Sequence, residues 1–575
     1  MSAAQVPEQS RTTSAGAPPA LPGTPPHASE ATRLLCAGTY LDSGYRDQVI
    51  EELHLNEQRI VAPSSGFDAA RVLAHALRAR RLELLWSGAV LGLWVLGVVL
   101  GGPVLLLALW PSVLLALAPL IRGRAEQPPF YRVFLAFLVR WGSRWTLVVL
   151  LVLVLAAAFG SGPDDAPSDR YGSSSSSSSS SSDGLLDFAT GMEPWQGWAC
   201  LVALALVWLC VYGRLDQVNR ALGAELSPQR FPDAVADPAE RAEGARFQRL
   251  KRRIRLEQHA PLVMYHESRP FCGAGSPYDT WVLAVELKPD ELAKRQQPLA
   301  NRLILEKIRR QLEQLRISAE HAGPGVRDRL RGLAIDECVF LPVEGLLRRD
   351  QAPYSAEAFA EHRARAVEEG AEKRRHFLRV RVDGWEEELV VTVFVRVHTQ
   401  GRMLVLEIAP HVLRPVREDF KEADRVAHRF RHNNLVGRAA TALALVPGSA
   451  GAALLQLGRG LVSVWRAVTG GYAGALPEGP ALSVRELGSR PDGSLFQEMD
   501  VARYLKSVQD RVAHGVRSAL AESGYETGEF VQKVVNISNG DVNIGRVEGS
   551  TFAVGSHASA SGGFAGGPVS QKGTD

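Results

Sequence analysis

Lysine is scarce in this chain of 575 residues, which holds nine Lys against 56 Arg. The skew fits a GC-rich coding sequence, because no single arginine patch accounts for it. An excess of one charge sign is also missing: 65 basic residues face 62 acidic ones, for a net charge of +3. No overall bias therefore points to nucleic acid or to an acidic tail. Cysteine is rare and odd in number, and Cys36, Cys200, Cys210, Cys272 and Cys338 contain no Cys-x-x-Cys pair. That argues against a disulfide framework or a zinc ribbon and suits buried or membrane-embedded thiols in a reducing compartment. The sequence also lacks a phosphate-binding loop ending in Gly-Lys-Ser/Thr and a Gly-x-Ser-x-Gly elbow.

What is present is unevenly shared. Hydrophobic residues make up 46% of the chain, yet the mean hydropathy is -0.04, so strongly apolar stretches must be offset by long polar ones. Eight of the eleven Trp fall between Trp86 and Trp208. Leu84 to Ile121 contains 38 consecutive uncharged residues, too many for one helix across a hydrocarbon core of about 30 Å. Two crossings joined at Gly101-Gly102-Pro103 fit better, a re-entrant hairpin being the alternative. Trp145 to Pro163 and Trp195 to Gly213 supply two more uncharged runs. The expected spans are 84–101, 103–121, 145–163 and 195–213, and no Asp, Glu, Lys, Arg or His lies inside any of them. Transport pathways usually retain such residues, so the membrane part reads as an anchor.

Arginine placement sets the orientation. Arg78, Arg80 and Arg81 precede the first span; Arg122, Arg124, Arg132, Arg140 and Arg144 separate the second from the third; Arg214 and Arg220 follow the fourth. The segment 164–194 holds six acidic residues against Arg170, and it includes ten consecutive serines, Ser173 to Ser182. Four crossings put every arginine cluster on one side, so both termini are expected in the cytoplasm of a bacterial inner membrane. Phe130, Tyr131, Phe134, Phe137, Trp141 and Trp145, set among arginines, have the composition of a headgroup belt.

The remaining segments follow from local pattern. Residues 1–31 form a Pro-rich disordered tail and 32–83 a cytoplasmic helical segment. Residues 214–260 form a linker in which Arg246, Arg249, Lys251, Arg252, Arg253 and Arg255 crowd a helix whose apolar positions are Phe247, Leu250 and Ile254. A solvated linker helix and contact with anionic headgroups are both open for it. Residues 261–432 read as an α+β domain, with strands at 262–265, 281–287, 376–383, 387–398 and 403–409 and a helix over about 297–320. Val391, Val393, Val395 and Val397 alternate with Thr392, Phe394, Arg396 and His398, so an antiparallel meander beside helices is expected. Residues 433–499 include the uncharged, alanine-rich run Ala439 to Gly458, expected to lie on a surface or pack an oligomer, a fifth span being the alternative. Asp500 is expected to cap a helix over 500–524.

The chemistry is thin. His428 and His432 are spaced i, i+4, but Arg429 stands where a zinc hydrolase needs Glu, and no third ligand follows. Gly273-Ala274-Gly275 begins like a dinucleotide loop, yet Tyr278 replaces the third glycine. His266, Glu267 and Cys272 cluster in sequence without a partner elsewhere. No catalytic, cofactor or metal residue is assigned, no cofactor is expected, and no nucleic acid partner is expected.

Residues 530–563 carry the most specific pattern. Val535-Asn536-Ile537-Ser538, Val542-Asn543-Ile544-Gly545 and Phe552-Ala553-Val554-Gly555 repeat an apolar, small or polar, apolar, Gly/Ser unit. Each unit reads as a short strand and turn, able to stack as β-arcs; a small arc packed within one chain is the alternative. The tail resembles bacterial amyloid-signalling motifs related to the RIP-homotypic interaction motif. Val542 to Gly545 match the first unit and Phe552 to Gly555 the second, with Asn543 where the animal form favours Gln. The resemblance implies homotypic assembly, alone or with a tail-bearing partner, through Val542, Asn543, Ile544, Gly545, Phe552, Val554 and Gly555. The stretch Ala62 to Phe67 and residues Leu77 to Leu82 resemble actinobacterial four-span integral membrane proteins, a family that implies no activity. Residues 564–575 are expected to be disordered. The whole is expected to be a membrane protein with a four-helix transmembrane anchor, a cytoplasmic α+β domain and a β-arc-like tail. The expected role is a non-enzymatic scaffold or signalling protein, with a membrane-anchored enzyme or ligand sensor as the alternative and a small-molecule transporter behind both.

Overall fold

The computed structural model describes residues 25–64, 66–123, 128–159, 193–241, 244–290, 296–316, 330, 332–369, 372–385, 388–469 and 475–538. Ser29 and Asp42 start helices α1 (Glu30–Leu41) and α2 (Ser43–Ile50) by accepting hydrogen bonds from first-turn amides. Asp68 does the same for α3 (Ala69–Gly101), whose 33 residues extend roughly 50 Å, more than a hydrocarbon core needs. Burial changes along α3 accordingly. Ala69 to Ala76 and Ala79 are buried in protein, whereas Leu85, Val95, Leu96, Val99 and Leu100 are exposed. Gly102, at φ +77°, turns the chain into α4 (Pro103–Arg122), where the Gly-Gly-Pro signal predicts the break. Helices α5 (Phe130–Phe159) and α6 (Pro194–Arg220) complete an apolar bundle. Its helices meet through small residues: a Cβ on Gly101 would lie 2.2 Å from Cys200 Sγ, and one on Gly197 2.7 Å from the Ala158 amide nitrogen.

Helix α7 (Ala245–His259) packs against the start of α3 in a core with α1 and α2. Leu250 and Ile254 enter that core beside Phe67, Leu73 and Phe420. Ion pairs tie the same unit across the sequence, Arg33 to Asp424 at 2.8 Å and Arg417 to Asp42 at 3.0 Å.

The α+β region is a half-barrel of seven strands: β1 (Leu262–Tyr265), β2 (Ser276–Pro277), β3 (Trp281–Glu286), β4 (Leu333–Pro342), β5 (Arg375–Gly384), β6 (Leu389–Gln400) and β7 (Met403–Leu413). The order is β1-β4-β5-β6-β7-β2, with β3 also paired to β7; β1 runs parallel to β4 and the other pairs are antiparallel. The valine face of β6 lies in the main core, against Ile304, Ile308 and Leu312 of α8 (Asn301–Glu313). Each such side chain, buried, contributes about 1.5–3 kcal/mol. Alternation does not reveal β4, because Asp336 and Glu337 interrupt its apolar pattern. Both have partners in the fold: Asp336 pairs with Arg379, and Glu337 with His376, Arg309 and Arg363, the last from α9 (Ala356–Glu368).

After α10 (Ala423–His432) the chain enters α11 (Leu435–Leu445), turns at Val446–Gly448, and continues as α12 (Ser449–Thr469). The sequence expectation for this stretch, a surface-lying or oligomer-packing segment, is corrected. Ala442, Val446, Ala450 and Ala453 pack inside the bundle with Trp94, Val104 and Leu105, and Trp208 Nε1 donates to the Ala439 carbonyl at 3.1 Å. The small residues that make it a poor isolated span allow this approach: a Cβ on Gly451 would lie 2.3 Å from the Ser112 carbonyl oxygen. Among the described residues five helices are long and apolar enough to cross a membrane: Ala69–Gly101, Val104–Arg122, Phe130–Phe159, Pro194–Glu225 and Leu435–Arg466. The fifth departs from the expected four and is the one broken at Pro447.

Helix α13 (Leu495–Glu522) begins before the expected 500–524, because Ser494 and Gln497 form a capping box. Asp500 is not the cap; it accepts from Trp385 Nε1 at 3.0 Å. Val501, Leu505, Val508, Val512 and Val516 return to the sheet core, so the half-barrel is built from chain on both sides of α11 and α12. In α14 (Gly528–Ser538), Phe530 and Val534 reach the same core. The first repeat unit, Val535–Ser538, is therefore helical where a strand is expected.

Candidate functional site

The loop between β1 and β2 lies across the second face of the sheet and inserts Phe271 into an aromatic cluster. Its ring centroid is 4.8 Å from Phe394, 5.3 Å from Phe340, 5.6 Å from Phe377 and 4.6 Å from His411. Gly273 and Gly275, at φ +98° and +101°, turn their amides toward one carboxylate, donating to Glu486 Oε1 at 2.7 and 2.9 Å. Such amide nests suit anions, and here the anion is the protein's own side chain. A Cβ at Gly275 would lie 2.3 Å from the Val412 carbonyl oxygen, so glycine is required.

Beside this loop is a cavity of about 720 Å³. Phe271, Ala409, His411 and Val412 supply its apolar wall; Arg269, Arg414 and Arg490 supply its cationic groups. Arg269 donates to the Ala481 carbonyl, Arg414 to Glu498 and the Pro491 carbonyl, and Arg490 pairs with Glu418. Arg414 and Arg490 thus each meet a carboxylate, whereas Arg269 and Glu486 are held by backbone groups. Burial lowers His411 to about 4, so the ring is neutral near pH 7. Nδ1 faces the Ala409 carbonyl at 3.3 Å and must donate to it, leaving Nε2 as an acceptor. Burial, reinforced by Glu486 and Glu52, pushes the Cys272 thiol well up, which disfavours a nucleophilic thiolate. The arrangement can hold a molecule with an apolar or aromatic part and a polar end.

The residues singled out from sequence scatter. His266 binds Ser268 at 2.8 Å, Glu267 pairs with Lys373 and Cys272 lines the cavity, so the three do not form one site. His428 and His432 stack at 3.8 Å on an exposed face, and among the described residues no group of three His, Cys, Asp or Glu could hold a metal. In α7, Lys251 is 2% exposed and pairs with Glu240, which withdraws it from the expected headgroup contacts. Arg255 pairs with Asp68 and Glu240, and Arg246 with Glu57, while Arg249, Arg252 and Arg253 are exposed. Val542, Asn543, Ile544, Gly545, Phe552, Val554 and Gly555 lie outside the described residues.

Sequence reading missed Phe271, His411 and the three arginines, which come from three distant stretches, 269–271, 411–414 and 490. The available signals were the two glycines around Ala274 and a histidine at an otherwise apolar register of β7. A family model described as an AbeC-like domain matches residues 280–550, just under half of the chain, from β3 through α14 and beyond. No curated protein and no solved structure matches the chain.

Proposed function

We propose that this is a non-enzymatic, membrane-anchored scaffold or signalling protein of a bacterial inner membrane, with four crossings, both termini cytoplasmic, and a C-terminal segment for homotypic assembly. The observation that carries the reading is α3, which passes without interruption from the buried core around Leu73 into the apolar bundle. A cytoplasmic body joined to its anchor by a continuous helix is held at a fixed height and orientation. The charge-free spans support an anchor over a transport path. Two packed cores support the crossing number. Residues before α3 and after α6 share one core, and residues before α11 and after α12 share the other, so each intervening stretch crosses an even number of times. On this reading α11 and α12 enter and leave on the same side. Deleting residues 539–575 from the full-length protein is expected to abolish concentration-dependent assembly in analytical ultracentrifugation. Identical size distributions with and without them would overturn the role of the tail.

The second reading, a membrane-anchored ligand sensor or enzyme, is favoured by the cavity at Phe271 and His411. Small aromatic carboxylates should raise the melting temperature of the full-length protein. Arg414→Ala should lose that rise, and a rise unchanged by the substitution would place the ligand elsewhere.

A further inference from the structure

A second polar cavity, of about 230 Å³, lies where the bundle meets the helical base. Helices α1, α2, α3, α6 and α12 enclose it, with Ser43 and Arg46 from α2, Glu83 and Trp86 from α3, Arg214 from α6 and Gln456 from α12. Its depth follows from the chain. Leu84 opens the first uncharged run and Gly213 closes the last, so Glu83 and Arg214 are the residues immediately flanking two spans. On the four-crossing reading that level is the headgroup layer of the inner leaflet. Trp86, whose Nε1 donates to Gln217 Oε1 at 2.8 Å, occupies the level that interfacial tryptophans favour.

The charges are arranged around Arg214. Arg46 bonds Glu83, and it lies 3.7 Å from Asp47, which also receives Arg80 at 3.5 Å. Arg214 has two long contacts, 3.4 Å to Gln456 Oε1 and 3.7 Å to Glu83 Oε1. Three arginines therefore face two carboxylates. Arg214, its side chain 37% exposed, keeps most of its five N–H groups uncommitted among the described residues. Gln456 Oε1 is already held by Ser87 Oγ at 2.5 Å. A planar, weakly committed guanidinium above an apolar run matches a phosphodiester oxygen pair, which it can engage through two parallel hydrogen bonds.

We propose that this cavity binds the phosphate of an anionic membrane lipid through Arg214, with Arg46 and the Ser43 hydroxyl completing its wall. Because α12 contributes Gln456 and α2 contributes Arg46, a bound headgroup clamps the inserted hairpin and the helical base to the same two spans. The proposal rests on the four-crossing reading. If that reading fails, a reporter active only outside the cytoplasm is inactive when fused after Gly184 or active when fused after Pro477; if only the site fails, the fusions behave as expected and the lipid response shows no Arg214 dependence.

The test uses full-length protein in nanodiscs of phosphatidylcholine, alone or with phosphatidylglycerol, followed by thermal unfolding. Phosphatidylglycerol is expected to raise the wild-type melting temperature by several degrees. Arg214→Gln should lose most of that gain, and Arg503→Gln, on the exposed face of α13, should keep it. Arg214→Lys guards against a misfolded Gln variant: it retains the charge without the fork and should lose at least half of the gain. The proposal is overturned if either Arg214 variant gains as much as wild type or if Arg503→Gln loses as much as Arg214→Gln. It is also overturned if inorganic phosphate in phosphatidylcholine discs reproduces the full gain, which would make the ligand a soluble anion.

Discussion

His411 is held neutral among aromatic rings because burial opposes its charge, and this has a pH consequence. Its ordinary value of 6.5 falls to about 4, so between those limits the unfolded chain takes up a proton that the folded chain refuses. Stability is therefore complete above pH 6.5 and falls as the pH drops toward 4. The loss attributable to His411 is about 2 kcal/mol at pH 5. His54, His259 and His398 are lowered in the same direction by burial, so the diagnostic quantity is a difference. His411→Gln should flatten the slope of stability between pH 7 and pH 5 relative to wild type. Equal slopes would mean that His411 does not titrate in this window. Glu337 acts lower down: burial opposes its charge, but His376 and Arg363 outweigh it and hold the carboxyl at about 2, so its contribution disappears only as the pH falls from 4.5 toward 2. The buried group formed by Arg71, His75 and Asp237 behaves differently. Arg71 is 1% exposed and donates Nε and Nη2 to Asp237, which also meets His75 Nε2 at 3.0 Å. Asp237→Asn leaves that guanidinium without its counter-charge and should destabilise the protein by about 3–5 kcal/mol. A loss below 1 kcal/mol in chemical denaturation would refute the assignment. The i, i+4 spacing of Arg71 and His75 is visible in sequence, but their carboxylate comes from a loop beyond α6. No periodicity links the two.

Elements were legible where one rule dominated. Short apolar runs place β1 without error and β3 within a residue, and the same reading with the alternation of β6 places β5, β6 and β7 within a few residues. It misses β4, whose two central carboxylates are neutralised by arginines on β5, α8 and α9. It also reads Val535–Ser538 as a strand, although a core contact from Phe530 and Val534 continues α14 through it. The packing of α11 and α12 was hidden by their composition: alanine and glycine make a weak isolated span and a good filler between other apolar helices. That account predicts a contrast within α12. Gly451→Val would push a side chain into the Ser112 backbone, whereas a Cβ at Gly458 meets nothing within 4 Å. The first should lower the melting temperature in detergent by several degrees and the second by less than one-third as much. Equal losses would indicate that helix propensity, not packing against α4, sets the effect.

At the scale of the whole molecule, the two folded cores constrain how the chain crosses the membrane more strongly than hydropathy does. A count by length and apolarity admits five helices, and five crossings would separate α13 from the sheet it covers. Val508 and Val512 of α13 share a core with Ile308 of α8 and Val393 of β6, which supports the proposal that residues on either side of α11 and α12 occupy one compartment. The ends of the hairpin agree: a Cβ on Gly223, next to the end of α6, would lie 2.8 Å from Arg431, and Arg466 reaches Glu51 at 3.2 Å, beside the base. Arginine counting alone assigns the same sides but cannot distinguish a hairpin from a surface helix, since both leave the charges where they are. An alkaline phosphatase reporter, active only outside the cytoplasm, separates the readings. Fused after Gly184 it should be active, and fused after Pro477 or at residue 575 it should be inactive. Activity after Pro477 would mean that Leu435–Arg466 crosses fully, in which case the sheet could not close and the packing of α13 on α8 would have to be abandoned with it.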